Sequence, residues 1–205
     1  MRKLIVAEHI SLDGVIQGPG GPREDPSGGF TLGGWSMPYG GGAIAESVRE
    51  LFAQPFELLL ARRTYDIWAT YWPHVKPDAP SYAIAEKFNA VPKHVATHRP
   101  DSLAWHNSRA LRGEPAEAVR ALQREAGANL LTWGSSELVR QLLAAGLVDE
   151  LRLFIYPVVL GRGKRLFGDD AQAAAFESTS SSTSDGVLIT RYVRGGDVRT
   201  GTYEE

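Results

Sequence analysis

The chain has 205 residues, 43% of them hydrophobic and 22% charged, with a formal net charge of −2. These are ordinary values for a globular protein and carry no electrostatic footprint of nucleic-acid binding. With no cysteine there is no disulfide framework, thiol nucleophile or thiolate metal site.

The N-terminus meets charge too soon for a signal peptide, and no apolar run approaches the roughly 20 residues of a membrane span. A cytoplasmic protein with one domain at 1–195 and a polar tail at 196–205 is expected. Residues 4–7 are an apolar run suited to a buried strand, which continues to about Ile10. It ends at Ser11-Leu12-Asp13-Gly14, where Asp13 is either a functional carboxylate or an Asp-Gly turn residue. Residues 17–42 are rich in Gly and Pro yet carry Phe30, Trp35, Met37 and Tyr39, which suits a loop folded over a site better than a linker. Ile44, Val48, Leu51 and Phe52 fall at helical spacing, and Pro55 closes that helix. Residues 56–61 read as a strand running straight into a helix opened by Arg62-Arg63-Thr64. Paired guanidinium forks match phosphate oxygens, the alternative being a solvated surface pair. A turn-rich stretch at 72–80 and a short helix at 82–88 lead to a strand at 93–97, then His98-Arg99-Pro100, with a further brief strand expected at 103–106.

Pro115 opens a helix that Gly127 stops. Residues 129–133 form a short apolar strand ending at Gly134, with Ser135 or Ser136 placed to cap a helix that runs to Gly146. Such a junction offers free amides and the positive end of a helix dipole to a phosphate, and is also an ordinary turn of α/β folds. The longest strand signal, 148–160, alternates Leu151, Leu153 and Ile155 with Arg152, Phe154 and Tyr156. Residues 176–183 and 187–193 flank Asp185-Gly186, the strongest hairpin cue in the chain.

This order predicts βα units on a parallel sheet, finished by an antiparallel hairpin. Ligands of such sheets bind beyond the carboxyl ends of the strands. Three of those ends carry phosphate-friendly residues: Arg62-Arg63-Thr64, Thr97-His98-Arg99 and Gly134-Ser135-Ser136. Together they favour a nucleotide site. Other signals fail: Gly161-Arg162-Gly163-Lys164 lacks the spacing and the following Ser or Thr of a P-loop, and no strand–GxGxxG–helix unit occurs. The histidines show no metal-ligand spacing, so no metal is expected, and no nucleophile elbow is present.

The chain resembles the dihydrofolate reductase-like superfamily, and within it the reductase domain of the bifunctional riboflavin-biosynthesis deaminase/reductase and its stand-alone relatives. The matching stretches are Ser11-Leu12-Asp13-Gly14, Arg62-Arg63-Thr64-Tyr65, Val95-Ala96-Thr97, Gly134-Ser135-Ser136-Glu137-Leu138 and Gly146-Leu147-Val148-Asp149-Glu150-Leu151, which leads to Pro157-Val158-Val159-Leu160-Gly161-Arg162-Gly163. The resemblance implies a three-layer αβα fold with a mainly parallel central sheet and an antiparallel C-terminal hairpin. It implies NADPH bound in an extended pose, with Arg62, Arg63 and Thr64 at the pyrophosphate and 2′-phosphate. Thr97, His98 and Arg99 would hold the 2′-phosphate, and Gly134, Ser135 and Ser136 the pyrophosphate. Residues 17–42 are similar in position to the lid over the nicotinamide, and members are often homodimers. The deaminase domain has no counterpart here, and the lid region is longer.

The expected activity is hydride transfer from NADPH to a C=N or C=O carbon of a small heterocyclic substrate. Asp13 is the first choice for a polar substrate contact or proton relay and Glu46 the second, with Trp35, Phe154 and Tyr156 as walls of the substrate site. The rivals are a pterin reductase and a nucleotide-binding module without turnover.

Overall fold

The structure is a computed structural model that describes residues 1–169 and 171–203; the end of the expected tail, 204–205, lies outside them. The first strand, β1 (Leu4–Ser11), is followed after a long irregular segment by α1 (Gly42–Leu51), then β2 (Phe56–Ala61), α2 (Arg62–Ala69), α3 (Tyr82–Ala90) and β3 (Lys93–Ala96). Next come β4 (Ser108–Ala110), α4 (Pro115–Arg124), β5 (Asn129–Trp133), α5 (Ser136–Ala144), β6 (Glu150–Tyr156), and the pair β7 (Ala175–Ser184) and β8 (Val187–Gly196). Among the described residues the strands form one eight-stranded sheet in the order β4-β3-β2-β5-β1-β6-β8-β7. Strands β1 to β6 run parallel, while β8 pairs antiparallel with both β6 and β7. Among these residues no helix is long and apolar enough to cross a membrane.

Strand alternation divides the core. Leu4, Val6, Leu59, Leu130 and Leu151 face Val119 and Leu122 of α4 and Leu138, Val139 and Leu142 of α5. Their neighbours Ala7, Leu58, Leu60 and Leu131 face Leu51 of α1, Tyr65 of α2 and Phe88 of α3. Both faces of the sheet are therefore covered, which is why its strands are apolar on both sides. This is the expected three-layer fold, and each fully buried leucine contributes about 1.5–3 kcal/mol. At the expected hairpin, Asp185 and Gly186 both adopt positive φ (50° and 79°), which matches a two-residue connection of type I′.

Three local expectations are corrected. Residues 103–106 are not a strand: the Trp105 amide donates to Tyr65 Oη at 2.8 Å and its buried ring anchors a turn, while the short strand lies at Ser108–Ala110. The strand expected to reach residue 160 stops at Tyr156, because Pro157 has no N–H and the Val158 amide turns back onto Tyr156 O at 2.8 Å. Ser135 stands at the N-cap of α5 in the left-handed region (φ 61°), but its hydroxyl makes no cap bond and instead accepts the Ala61 amide at 3.0 Å.

Residues 17–42 are folded onto the body. The Trp35 indole donates to Gln17 O at 2.8 Å, and the Gly34 amide to Gly18 O at 2.8 Å. Phe30 and Trp35 are buried in a third apolar cluster with Phe154, Tyr156 and Val187.

Candidate functional site

A cavity of about 1000 Å³ opens at the carboxyl ends of β1, β2 and β5, between the segment 16–45, the starts of α2 and α5, and α3. Its position follows from the parallel sheet, whose strands end there together. Ile44, Val48, Phe52, Trp68, Trp72 and Ile84 form an apolar wall. Its polar lining includes Glu8, Arg63, Thr64, Ser135, Ser136, Glu137 and Lys164.

The β5–α5 junction is internally braced. The Gly134 amide donates to Glu8 Oε2 at 3.0 Å and the Ser135 amide to Thr64 Oγ1 at 2.9 Å. A Cβ on Gly134 (φ 71°) would lie 3.3 Å from Thr64 Oγ1, so only glycine passes without strain. The Val139 amide bonds Ser135 O at 2.9 Å, which leaves the Ser136, Glu137 and Leu138 amides ahead of the helical ladder, and of these residues Ser136 and Glu137 line the cavity.

Arg63 reaches the cavity, whereas Arg62 does not. The Arg62 guanidinium is bound to Asp66 at 2.8 Å, Ser102 Oγ at 2.7 Å, Arg99 O at 3.1 Å and Thr97 Oγ1 at 3.3 Å. It holds the loop carrying Thr97, His98 and Arg99, where His98 and Arg99 are exposed and Thr97 Oγ1 also accepts the Arg99 amide at 3.0 Å. Asp25 of the folded segment contacts two of the cations that line the cavity, Lys164 at 2.5 Å and Arg63 at 3.5 Å.

The structure does not bring Asp13 or Glu46 to the cavity. Asp13 accepts the Leu160 and Gly161 amides at 3.0 and 2.9 Å and the Ser11 hydroxyl at 2.7 Å, and pairs with Arg165 at 3.2 Å. Burial opposes its ionisation, but those bonds outweigh it and hold the carboxyl well below its usual range. Asp13 thus ties the β1 turn to the loop after β6, the turn alternative rather than a substrate contact. Glu46 sits on the exposed side of α1 in an ion pair with Arg49. Of the expected walls, Tyr156 lines the cavity. Trp35 lies behind it, edge-on at 5.3 Å, and Phe154 is buried in a stack with His9 and Trp133.

Residues the sequence reading passed over stand at the centre. His9 lines the cavity between Trp133 and Phe154, with Nδ1 2.7 Å from Tyr156 Oη. Burial lowers its pKa to about 4 and raises that of Tyr156 to about 12, the latter opposed by a hydrogen bond from Ser36, so the pair is neutral at ordinary pH. Glu8 is 2% exposed, and its Oε1 is buried without a partner. Desolvation pushes its pKa well up against the Gly134 bond, and Glu24 adds to the rise. The signal was present: two ionisable residues, Glu8 and His9, interrupt a strand that should be apolar on both faces.

The family model for the RibD C-terminal domain matches residues 2–190. The YyaP protein of Bacillus subtilis is 27% identical over 192 residues, 91% of this chain and 92% of its own. Two solved structures share the fold. A putative riboflavin biosynthesis protein of Shewanella sp. PV-4 has a TM-score of 0.66 at 21% identity, covering 94% of this chain and 98% of its own. A dihydrofolate reductase of Enterococcus faecalis, complexed with NADP(H), has a TM-score of 0.57 at 14% identity, covering 94% and 96%.

Proposed function

The chain belongs to the RibD C-terminal domain family, and on that premise we propose that it is an NADPH-dependent reductase of a small heterocyclic substrate, of the ribosylamino-pyrimidine kind used in riboflavin biosynthesis. The observation that carries this reading is the joining, in one cavity, of an anion-suited strand-to-helix mouth to an aromatic-walled chamber. The fit to a dinucleotide is good. The free amides of α5 suit a diphosphate, the cations Arg63 and Lys164 line the same cavity, and the apolar wall suits flat rings.

The diphosphate would lie at Ser136 and Glu137, with Gly134, Ser135 and Thr64 shaping the turn and Arg63 lining the same cavity. The 2′-phosphate would meet His98 and Arg99, on the loop that Arg62 and Thr97 hold. When bound, the nicotinamide would supply a hydride to an electrophilic carbon. His9 and Tyr156 keep a proton at the cavity wall for the heteroatom beside that carbon, and the folded segment 17–42 limits water. A homodimer through the outer strands β8 and β7, a cytoplasmic location and a single domain at 1–195 belong to the same reading.

Titration of NADPH by quenching of protein fluorescence, followed by NADPH oxidation with ribosylamino-pyrimidine and pterin acceptors, tests it. Oxidation driven by the pyrimidine supports the proposal. Oxidation by the pterin alone redirects it to the pterin, and binding with neither leaves a nucleotide-binding module.

A further inference from the structure

We propose that Glu8 supplies a hydrogen-bond donor, its Oε1–H, to the anionic backbone of the ligand seated at the start of α5. The inference rests on the dinucleotide reading above and assigns a residue to it.

Both carboxyl oxygens are accounted for by geometry. Oε2 accepts the Gly134 amide at 3.0 Å and so takes the role of a carbonyl. Oε1 is buried, has no partner, and belongs to a side chain that lines the same cavity as Ser135, Ser136 and Glu137 and is joined to their turn through Gly134. A buried polar atom left unpaired costs about 1–3 kcal/mol, and a ligand acceptor at this point removes that cost. An ionised Glu8 would do the reverse, placing a carboxylate under the helix end where a diphosphate must sit. Burial favours the neutral acid, against the Gly134 bond and with help from Glu24. The state therefore suits donation, the only mode in which a carboxyl group assists an anion.

The charged and titratable groups that line the cavity with Glu8 are His9 on β1, Glu24, Asp25 and Tyr39 on the folded segment, Arg49 on α1, Arg63 on α2, Lys87 on α3, Glu137 on α5, and Tyr156 and Lys164 at and after β6. Their titration must be separated from that of Glu8. Glu8→Gln does so, because its amide keeps an acceptor for Gly134 and a donor for the ligand at every pH. Glu8→Met fills the space with no donor.

The experiment is titration of NADPH by fluorescence from pH 7 to 9.5, above the pKa of about 6 of a phosphomonoester, on wild type, Glu8→Gln and Glu8→Met. Thermal unfolding of each variant confirms folding. At pH 7 Glu8→Gln binds within about threefold of wild type, and Glu8→Met binds at least tenfold more weakly, a difference of about 1.4 kcal/mol. Wild-type affinity that falls with pH while Glu8→Gln stays level supports the proposal. Equal pH dependence in wild type and Glu8→Gln, or Glu8→Met binding as wild type does, overturns it. Absence of NADPH binding by wild type at every pH refutes the dinucleotide reading itself and is told apart from these outcomes at once. If the only folded variant is Glu8→Gln, its pH profile against wild type decides the matter.

Discussion

Thr64→Val separates the internal bracing of the β5–α5 mouth from the surfaces it presents. Thr64 Oγ1 accepts the amide of Ser135 at 2.9 Å, and Ser135 is buried in the left-handed conformation. Valine has nearly the shape of threonine, so the substitution removes one acceptor and strands a buried N–H. That loss costs about 1–3 kcal/mol, and for a domain of this size each kcal/mol lowers Tm by about 2–4 °C. A fall in Tm of about 2–12 °C is expected, because those two ranges multiply directly. The junction also aims the Ser136–Leu138 amides, so NADPH affinity should fall about tenfold, an additional ~1.4 kcal/mol. Thermal unfolding by circular dichroism and a fluorescence titration read the two effects separately. Thr64→Ser, which keeps the oxygen, should recover most of both. If Thr64→Val melts with wild type and binds NADPH equally well, the bracing argument is wrong.

Arg99→Ala should weaken NADPH at least tenfold more than NADH, whereas Arg62→Ala should weaken both and lower Tm, since Arg62 is tied into the loop rather than turned to the ligand; competitive titrations with the two cofactors distinguish them, and equal losses of both cofactors in Arg99→Ala would count against the 2′-phosphate site. Asp25→Asn releases Lys164 and Arg63 from one carboxylate. NADPH should then bind a few-fold more tightly at low salt, with the gain fading near 0.15 M as screening sets in; calorimetry showing weaker binding would be contrary. Asp13 has a depressed pKa, so its contribution to stability is present above the unfolded carboxylate pKa of about 3.9 and is lost as pH falls through the folded value. Urea unfolding should therefore show Asp13→Asn less stable than wild type at pH 7, with the gap narrowing in acid; a gap that widens in acid would contradict the assignment.

The elements that sequence periodicity revealed are those whose partners lie on the same strand or helix. Leu58, Leu59 and Leu60 face alternate layers because a strand has period two, and Asp185-Gly186 turns because both residues tolerate positive φ. The site is different, since its hydrogen bonds join residues far apart in the chain. The Gly134 amide is taken by a residue 126 positions away and the Ser135 amide by one 71 away. The turn that looked open to phosphate has therefore spent two of its amides on the protein, and the amides left for a ligand begin one residue further into α5. Arg62 and Arg63 show the same rule: neighbours on a helix point about 100° apart, so one guanidinium enters the cavity and the other locks a loop. What a ligand can use is the set of groups left over once the fold has satisfied itself. Here that set includes the Ser136 and Glu137 amides, Arg63 and Lys164 when Asp25 releases them, and one oxygen of Glu8. No short motif could announce it, because each member is free only by virtue of bonds made elsewhere.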